Sequence, residues 1–551
     1  MESTTAREPF HSQDYDVVPG TVYIIERHSD LNADSEADII LLPNPSDDLN
    51  DPLRWSAWRK RYHLVLLVMY STLMTALGNW EAPIYINIQE ALGTTITLMN
   101  VGSALTLLML GVGNVFLTPL SHKFGRRFTY LSSLILALLS QVWLAMANNS
   151  GDFIGGHILF GVGRAPYEAL VAISIADVFF AHERGLGLSL YAFGMTLGSS
   201  VGPICSGYMV KTLQCRWVYR FGAILCGFMW LVIYFTLEES RFILTSTGVC
   251  ETSDEPAPSV DASGCEGPEM VHKVFKDEKH RLQRQTSNAT VHRLGEVLDA
   301  RSFRFQFTLW TAFPGTLQEF IKQCYRPLQL AWFPAIFWSG LEYGTSVSWI
   351  SVLGTTTAVI LSSPPYNFGN DALGLIWLSP LVGAVFGSYF AGSLNDQLMM
   401  FLSRRNRGWC EPEFRLWSFL PSGLIMPAGL ILYGVGAANG LPWIGPIIGM
   451  GLVGFGLSVA AILTMAYVVD CYKTIDGEAV TTVILIRNII GSALTFGIQP
   501  WIDSLGVQDT FIMAGCLSFA ITMASGLLIM WGKRMRHMTQ GAYSDFARGF
   551  K

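Results

Sequence analysis

The sequence predicts an all-α membrane protein whose twelve transmembrane helices form two six-helix bundles. Two observations carry that reading. First, 51% of the 551 residues are hydrophobic and only 14% are charged, against roughly 25% charged in an ordinary globular domain. Second, the charges crowd into the N-terminal arm, a central stretch and short turns. The segments between run to about 20 apolar residues each, enough to cross a hydrocarbon core about 30 Å thick. The expected spans are 62–83, 98–119, 128–147, 153–175, 187–209, 217–237, 328–354, 373–393, 415–436, 443–468, 479–500 and 510–531. This divides the chain into an arm (1–61), a first bundle (62–240), a linker (241–327), a second bundle (328–531) and a tail (532–551).

The arm is polar and acidic with no apolar run near its start, so no cleavable signal is expected and the first span serves as the anchor. Orientation follows from Lys and Arg. One side receives Arg54, Arg59, Lys60 and Arg61, then Lys123, Arg126 and Arg127, then Arg184 and the basic part of the linker. It also receives Arg404, Arg405, Arg407, Lys473, Lys533, Arg534 and Arg536. The opposite loops hold little beyond Lys211 and Arg216. Both termini and the linker are therefore expected in the cytoplasm. Only Cys215 of the nine cysteines falls in an outward loop, so no structural disulfide is expected. Asn148-Asn149-Ser150 is a glycosylation sequon in a very short outer loop.

The linker opens on a Pro/Ser/Gly-rich acidic stretch expected to be disordered. Its basic middle, VHKVFKDEKHRLQRQ, reads either as a solvated helix or as a segment lying on the anionic inner leaflet. The halves on either side echo each other: TPLSHKFGRR (118–127) follows the second span and GSLNDQL (392–398) follows the eighth. Paired repeats imply a pseudo-two-fold arrangement with a site at the interface near the midplane.

The fifth span carries a stripe of small residues, Gly194, Gly198, Gly202 and Ser206, with Pro203 and Gly207 woven in. Four-residue spacing puts the stripe on one helix face, where a neighbouring backbone can approach. Pro203 removes one backbone hydrogen bond, and a bend is expected there.

Charged side chains at mid-membrane are costly and usually face the interior. The candidates are Glu168, Glu342 and Arg487, with Asn79 and Glu81 at the outer end of the first span. Arg164 and Glu168 stand at i and i+4, the spacing of an intrahelical ion pair. A desolvated carboxyl takes up a proton more readily, which suits a proton carrier. Glu168 and Glu342 lie in opposite halves and are both placed towards one central cavity. Trp80, Tyr85, Tyr167, Tyr343, Trp349, Trp377 and Tyr467 are candidate cavity walls. Aromatic walls with a few carboxylates favour amphipathic or cationic organic solutes.

These features together resemble the major facilitator superfamily, specifically its fungal twelve-span drug:proton antiporter group, over about residues 43 to 531. In the family's loop signature, Lys123, Gly125, Arg126 and Arg127 match, while Thr118 replaces a glycine and His122 an acid. Gly392 and Asp396 keep part of it in the second half. The resemblance implies that this loop latches one face of each bundle. The stripe matches the family's antiporter motif at Gly198, Gly202, Pro203 and Gly207, with Ser206 in place of a glycine. That motif is associated with export by proton exchange. The family's fourth-span arginine is His157 here, ahead of Gly161 and Gly163. His157 is either a proton-responsive group or an interhelical hydrogen-bonding histidine, and Arg164 is a candidate replacement. ADVFFAHERG (176–185), with Asp177, Glu183 and Arg184, is very similar to fungal members, as are NDPLRW (50–55), EPEFRL (411–416) and the Arg487-Asn488 pair.

The resemblance implies proton-coupled efflux of a small organic molecule by alternating access. The alternative is proton-coupled uptake of small organic cations such as polyamines. A non-transporting nutrient sensor fits less well, because only about 20 polar residues follow the last span. No Walker loop, CxxC pair, HExxH or GxSxG occurs, so no enzyme, cofactor or metal is expected. The expected partners are a small organic solute, protons and lipid, with no nucleic acid and a monomeric state. The plasma membrane is the expected location, with the vacuolar membrane second.

Overall fold

The computed structural model describes residues 20–23, 51–241, 317–406 and 409–548. The expectations for most of the arm and for 242–316 of the linker lie outside these residues. In the first half the principal helices are α1 (Ala57–Asn79), α2 (Ile96–Phe124), α3 (Arg126–Met146), α4 (Ser150–Val178), α5 (Ala181–Thr212) and α6 (Arg216–Thr236). The second half opens on an amphipathic helix, α7 (Leu317–Gln329). It continues with α8 (Pro334–Leu361), α9 (Asn370–Arg405), α10 (Phe419–Ala438), α11 (Ile444–Cys471), α12 (Asp476–Met523), α13 (Ser525–Met538) and α14 (Gln540–Arg548).

Ten helical stretches among the described residues are long and apolar enough to cross a membrane. The last of them merges the final two expected spans into 63 residues, Asp476–Met538. As one rod it would reach about 95 Å, roughly three times the hydrocarbon thickness. It breaks instead at Gly506, whose φ of 81° lies in the left-handed region that glycine adopts without penalty. The first expected span falls in α1, which is not among the ten.

Two other elements depart from expectation. The seventh span begins at Pro334 rather than at 328. Proline has no N–H to lose at a helix start, and it holds Phe333 in an extended conformation (φ −74°, ψ 122°). Residues 328–332 belong instead to the end of α7 and a 3-10 turn. Among the described residues there is also one small antiparallel pair, Val22–Tyr23 with Trp409–Cys410.

The stripe on α5 does what its spacing predicts. A Cβ on Gly194 would lie 2.8 Å from Thr72 Oγ1, and one on Gly198 would lie 3.1 Å from the Thr72 carbonyl carbon. One on Gly202 would meet the Ala76 backbone, so α5 lies directly on α1. Ser206 reaches further and donates to the Trp80 carbonyl at 2.5 Å. The helix continues through Pro203 to Thr212. Seven described cysteines are free.

The side that carries Arg126, Arg404, Arg405 and Lys533 is called the basic side here, and the opposite one the far side. One apolar core runs through the first half and on into Trp349, Val352, Leu361, Leu373, Ile376, Tyr433 and Phe511 of the second. A separate core, with Phe333, Trp338, Tyr467, Val468, Tyr472 and Val483, belongs to the basic-side part of the second half. The two halves thus share a core towards the far side. Polar contacts there agree: Lys211 pairs with Asp371 at 2.9 Å, and Asn370 Nδ2 donates to Asn87 Oδ1 at 2.9 Å.

Candidate functional site

The site is built around a break in α4. Hydrogen-bonded helix ends at Arg164 and resumes at Pro166, which has no N–H to continue the ladder. Tyr191 of α5 stabilises the restart by donating to the carbonyls of Tyr167 and Glu168 at 2.7 and 2.9 Å. The break re-aims Glu168. Its carboxylate forms a buried ion pair with Arg487 of α12, and the two side chains are only 5% and 7% exposed.

The pair is surrounded by further donors. Asn488 Nδ2 donates to Glu168 Oε2 at 3.2 Å, and Tyr167 Oη donates to Glu168 Oε1 at 2.8 Å. Arg487 also donates to Asn488 Oδ1 at 3.0 Å and lies over the Tyr343 ring, 4.7 Å from its centroid. Glycines let the backbones close in: a Cβ on Gly111 would stand 2.8 Å from Asn488 Cβ, and one on Gly344 3.0 Å from the Arg487 carbonyl oxygen. An ion pair this buried is costly to break, because the remaining charge is left without a partner.

The intrahelical Arg164–Glu168 pair expected from i, i+4 spacing is not formed. Arg164 touches Tyr167 instead, donating to its hydroxyl at 3.2 Å. Its guanidinium stacks on Tyr167 and Phe160 at 5.0 and 5.4 Å. Gly78 of α1 leaves the space it occupies.

Glu342 lies apart from this cluster. It is 2% exposed and accepts from the Thr522 hydroxyl at 2.9 and 3.2 Å, within the second half. Successive helix residues face different directions, so Glu342 meets Thr522, beyond the Gly506 break of α12, while its neighbour Tyr343 faces Arg487, before that break. His157 lies in the first half: its Nδ1 contacts Thr106 Oγ1 at 2.9 Å, and its Nε2 is 3.4 Å from Glu81 Oε2. Tyr219 donates to the other Glu81 oxygen at 2.9 Å. Trp80 packs edge-on to Tyr219 and Tyr467 is buried in the second half's basic-side core, while Trp349 is fully buried in the shared core. Of the expected charges and aromatics, the structure brings together Arg164, Tyr167, Glu168, Tyr343 and Arg487.

On the basic side the signature loop turns at Gly125, whose φ is 95°. Arg126 Nε pairs with Asp177 at 3.2 Å. The backbone N–H groups of Arg126 and Arg127 donate to the two Glu239 oxygens at 2.9 and 3.1 Å. Burial pushes the Glu239 carboxyl above its ordinary pKa, although the N–H groups of Arg126, Arg241 and Arg127 and the charge of Arg126 pull it back. Arg184 donates to the Phe179 and Ala176 carbonyls, a cation at the end of α4. Glu183 acts on Lys60 through its charge, and Lys123 lies 5.8 Å from the Phe124 ring centroid.

The second half repeats the arrangement. Arg415 pairs with Asp470 at 2.5 Å and with Asp396 at 3.5 Å, and Gly392 sits in the π-helical turn Phe390–Leu394. Sequence reasoning missed Arg415, Asp470, Glu239 and Thr522. Only Arg415 left a signal, through its place in EPEFRL.

This geometry defines a class: a multi-pass helical membrane protein with two halves joined by a buried charge pair at mid-depth. The chain matches the model of the Major Facilitator Superfamily over residues 66–495 and belongs to that family. Its members are transporters, not enzymes, that move small solutes across membranes. In Schizosaccharomyces pombe, the Uncharacterized MFS-type transporter C1271.10c is 30% identical, over 96% of this chain and 94% of that one. Protein HOL1 of Saccharomyces cerevisiae is 27% identical over 96% of this chain and 97% of its own length. The partially occluded inward open structure of the xylose transporter XylE from E. coli has a TM-score of 0.57 and 12% identity. It covers 85% of this chain and 97% of its own, a likeness of fold alone.

Proposed function

We propose that this transporter couples proton movement to the efflux of a small organic molecule by alternating access, with residues 62–240 and 328–531 rocking as two bodies. The observation that carries the reading is the Glu168–Arg487 pair, the buried charge contact between the halves. Any motion that separates them at this depth must break it, and protonating Glu168 removes its attraction. Proton uptake and rocking are therefore linked at one carboxylate.

With the basic side in the cytoplasm, as the distribution of Lys and Arg supports, the far-side contacts make this the inward-facing state. Both termini are then cytoplasmic, in the plasma membrane, with one chain as the working unit. The efflux direction leans on the antiporter-like stripe, whose Gly198 and Gly202 lie on α1 while Gly207 faces α9. A second reading, uptake of organic cations such as polyamines, is favoured by the guanidinium seated on Glu168 and over Tyr343. That setting suits a solute ammonium equally well.

Deletion and overexpression, followed by untargeted comparison of metabolites inside and outside the cell, tests this directly. Efflux predicts that a solute accumulates inside the deletion strain; uptake predicts its depletion. Unchanged metabolites in both strains would sink the transport reading for this host.

A further inference from the structure

The central cluster holds two cations and one carboxylate. Arg487 has Glu168, but Arg164 does not, although Arg164 is just as buried, 6% exposed, and its Nε meets no hydrogen-bond partner among the described residues. A guanidinium desolvated without an anion is costly, and the Tyr167 hydroxyl and the two rings beside Arg164 carry no full charge to offset it. The route to an anion is short: Arg164 Nη2 is 3.2 Å from Tyr167 Oη, which is 2.8 Å from Glu168 Oε1. Arg164, Tyr167, Glu168 and the Gly78 that makes room for the guanidinium all belong to the first half. Arg487 and Asn488 belong to the second.

We propose that Arg164 is the second partner of Glu168, taking the carboxylate when Arg487 withdraws with the other half. This rests on the alternating-access reading above and adds a residue to it. Tyr167 now bridges the two groups through its hydroxyl. When Arg487 leaves, Glu168 Oε1 loses its strongest donor, and Arg164, linked to it through the Tyr167 hydroxyl, closes on it. The buried carboxylate then has a cation in both states, and the proton-free transporter can return with its solute without trapping an uncompensated charge. Arg164 acts here as a positioning residue, through Glu168.

The test uses the full-length protein in lipid nanodiscs with spin labels at T212C and N367C, two exposed far-side positions in opposite halves. Other reactive cysteines are replaced by serine, and each variant is checked for monodispersity. The label distance reports far-side opening. Arg487→Gln should produce a second, longer-distance population. Adding Arg164→Gln should reduce that population at least fivefold, and Arg164→Lys should largely preserve it. Adding Glu168→Gln to the Arg164→Gln/Arg487→Gln protein should restore it, because no carboxylate then needs a partner. A purely structural Arg164 would not be rescued this way. An unchanged population on Arg164→Gln, or failure of Glu168→Gln to restore it, overturns the exchange. If Arg487→Gln itself opens nothing, the alternating-access role of the pair falls first, and the proposal with it.

Discussion

Gly207 and Gly374 are pressed together across the join between the two halves. A Cβ on Gly207 would stand 3.3 Å from Gly374 Cα, and one on Gly374 would stand 2.8 Å from the Pro203 carbonyl oxygen. Any side chain here forces backbone apart. Gly374→Val is expected to destabilise the far-side-closed state by about 1–3 kcal/mol, a typical overpacking cost. That is roughly a 5- to 150-fold shift in population, read by thiol labelling of a far-side cysteine at Thr212.

The Glu168–Arg487 pair should show strong coupling. In the far-side-closed state, removing either partner leaves the other charge buried without it, at about 3–5 kcal/mol. Glu168→Gln and Arg487→Gln are each expected to lower the thermal midpoint of the detergent-purified protein markedly. The double variant should recover much of the loss, and a double-mutant cycle with no coupling would refute the pair.

Glu342 makes a different case. Its partner is a hydroxyl donor, so an amide oxygen can replace the carboxylate oxygen. Glu342→Gln is expected to stay within about 1 kcal/mol of the parent, whereas Thr522→Val should cost about 1–3 kcal/mol by orphaning a buried acceptor. Chemical unfolding of both variants, compared at one pH, separates the two effects.

The two basic-side latches should differ in strength. Arg126 is 6% exposed at its side chain and Arg415 is 18%, so solvent weakens the second pair more. Arg126→Ala is expected to cost about 1.5–3 kcal/mol, the range for hydrogen bonds to charged groups, and Arg415→Ala less. Thermal midpoints of the two variants rank them.

How far the sequence foretold this depends on separation along the chain. The α5 stripe was legible because small residues at four-residue spacing can only make a close-packed face. The basic-side loop was legible from its charges, but the Arg415–Asp470 counterpart needed coordinates, because its partners lie 55 positions apart. Arg487 was visible as a membrane-embedded charge, but not its partner 319 positions away. The Arg164–Glu168 spacing misled because Pro166 interrupts the helix between them, a signal present in the sequence and not weighed. Glu342 and Tyr467 look like cavity residues by chemistry. Helix rotation, which hydrophobic periodicity barely fixes in an all-apolar span, turns them into the second half.

The most direct test of alternating access is to hold the far side shut. Asn87 and Asn370 are joined by a 2.9 Å hydrogen bond between the halves, so N87C and N370C can be bridged through two disulfides by a short bifunctional methanethiosulfonate in proteoliposomes. Transport of the solute found by metabolite comparison is expected to stop on cross-linking and to return when the bridge is reduced. Undiminished transport by fully cross-linked protein would contradict the account.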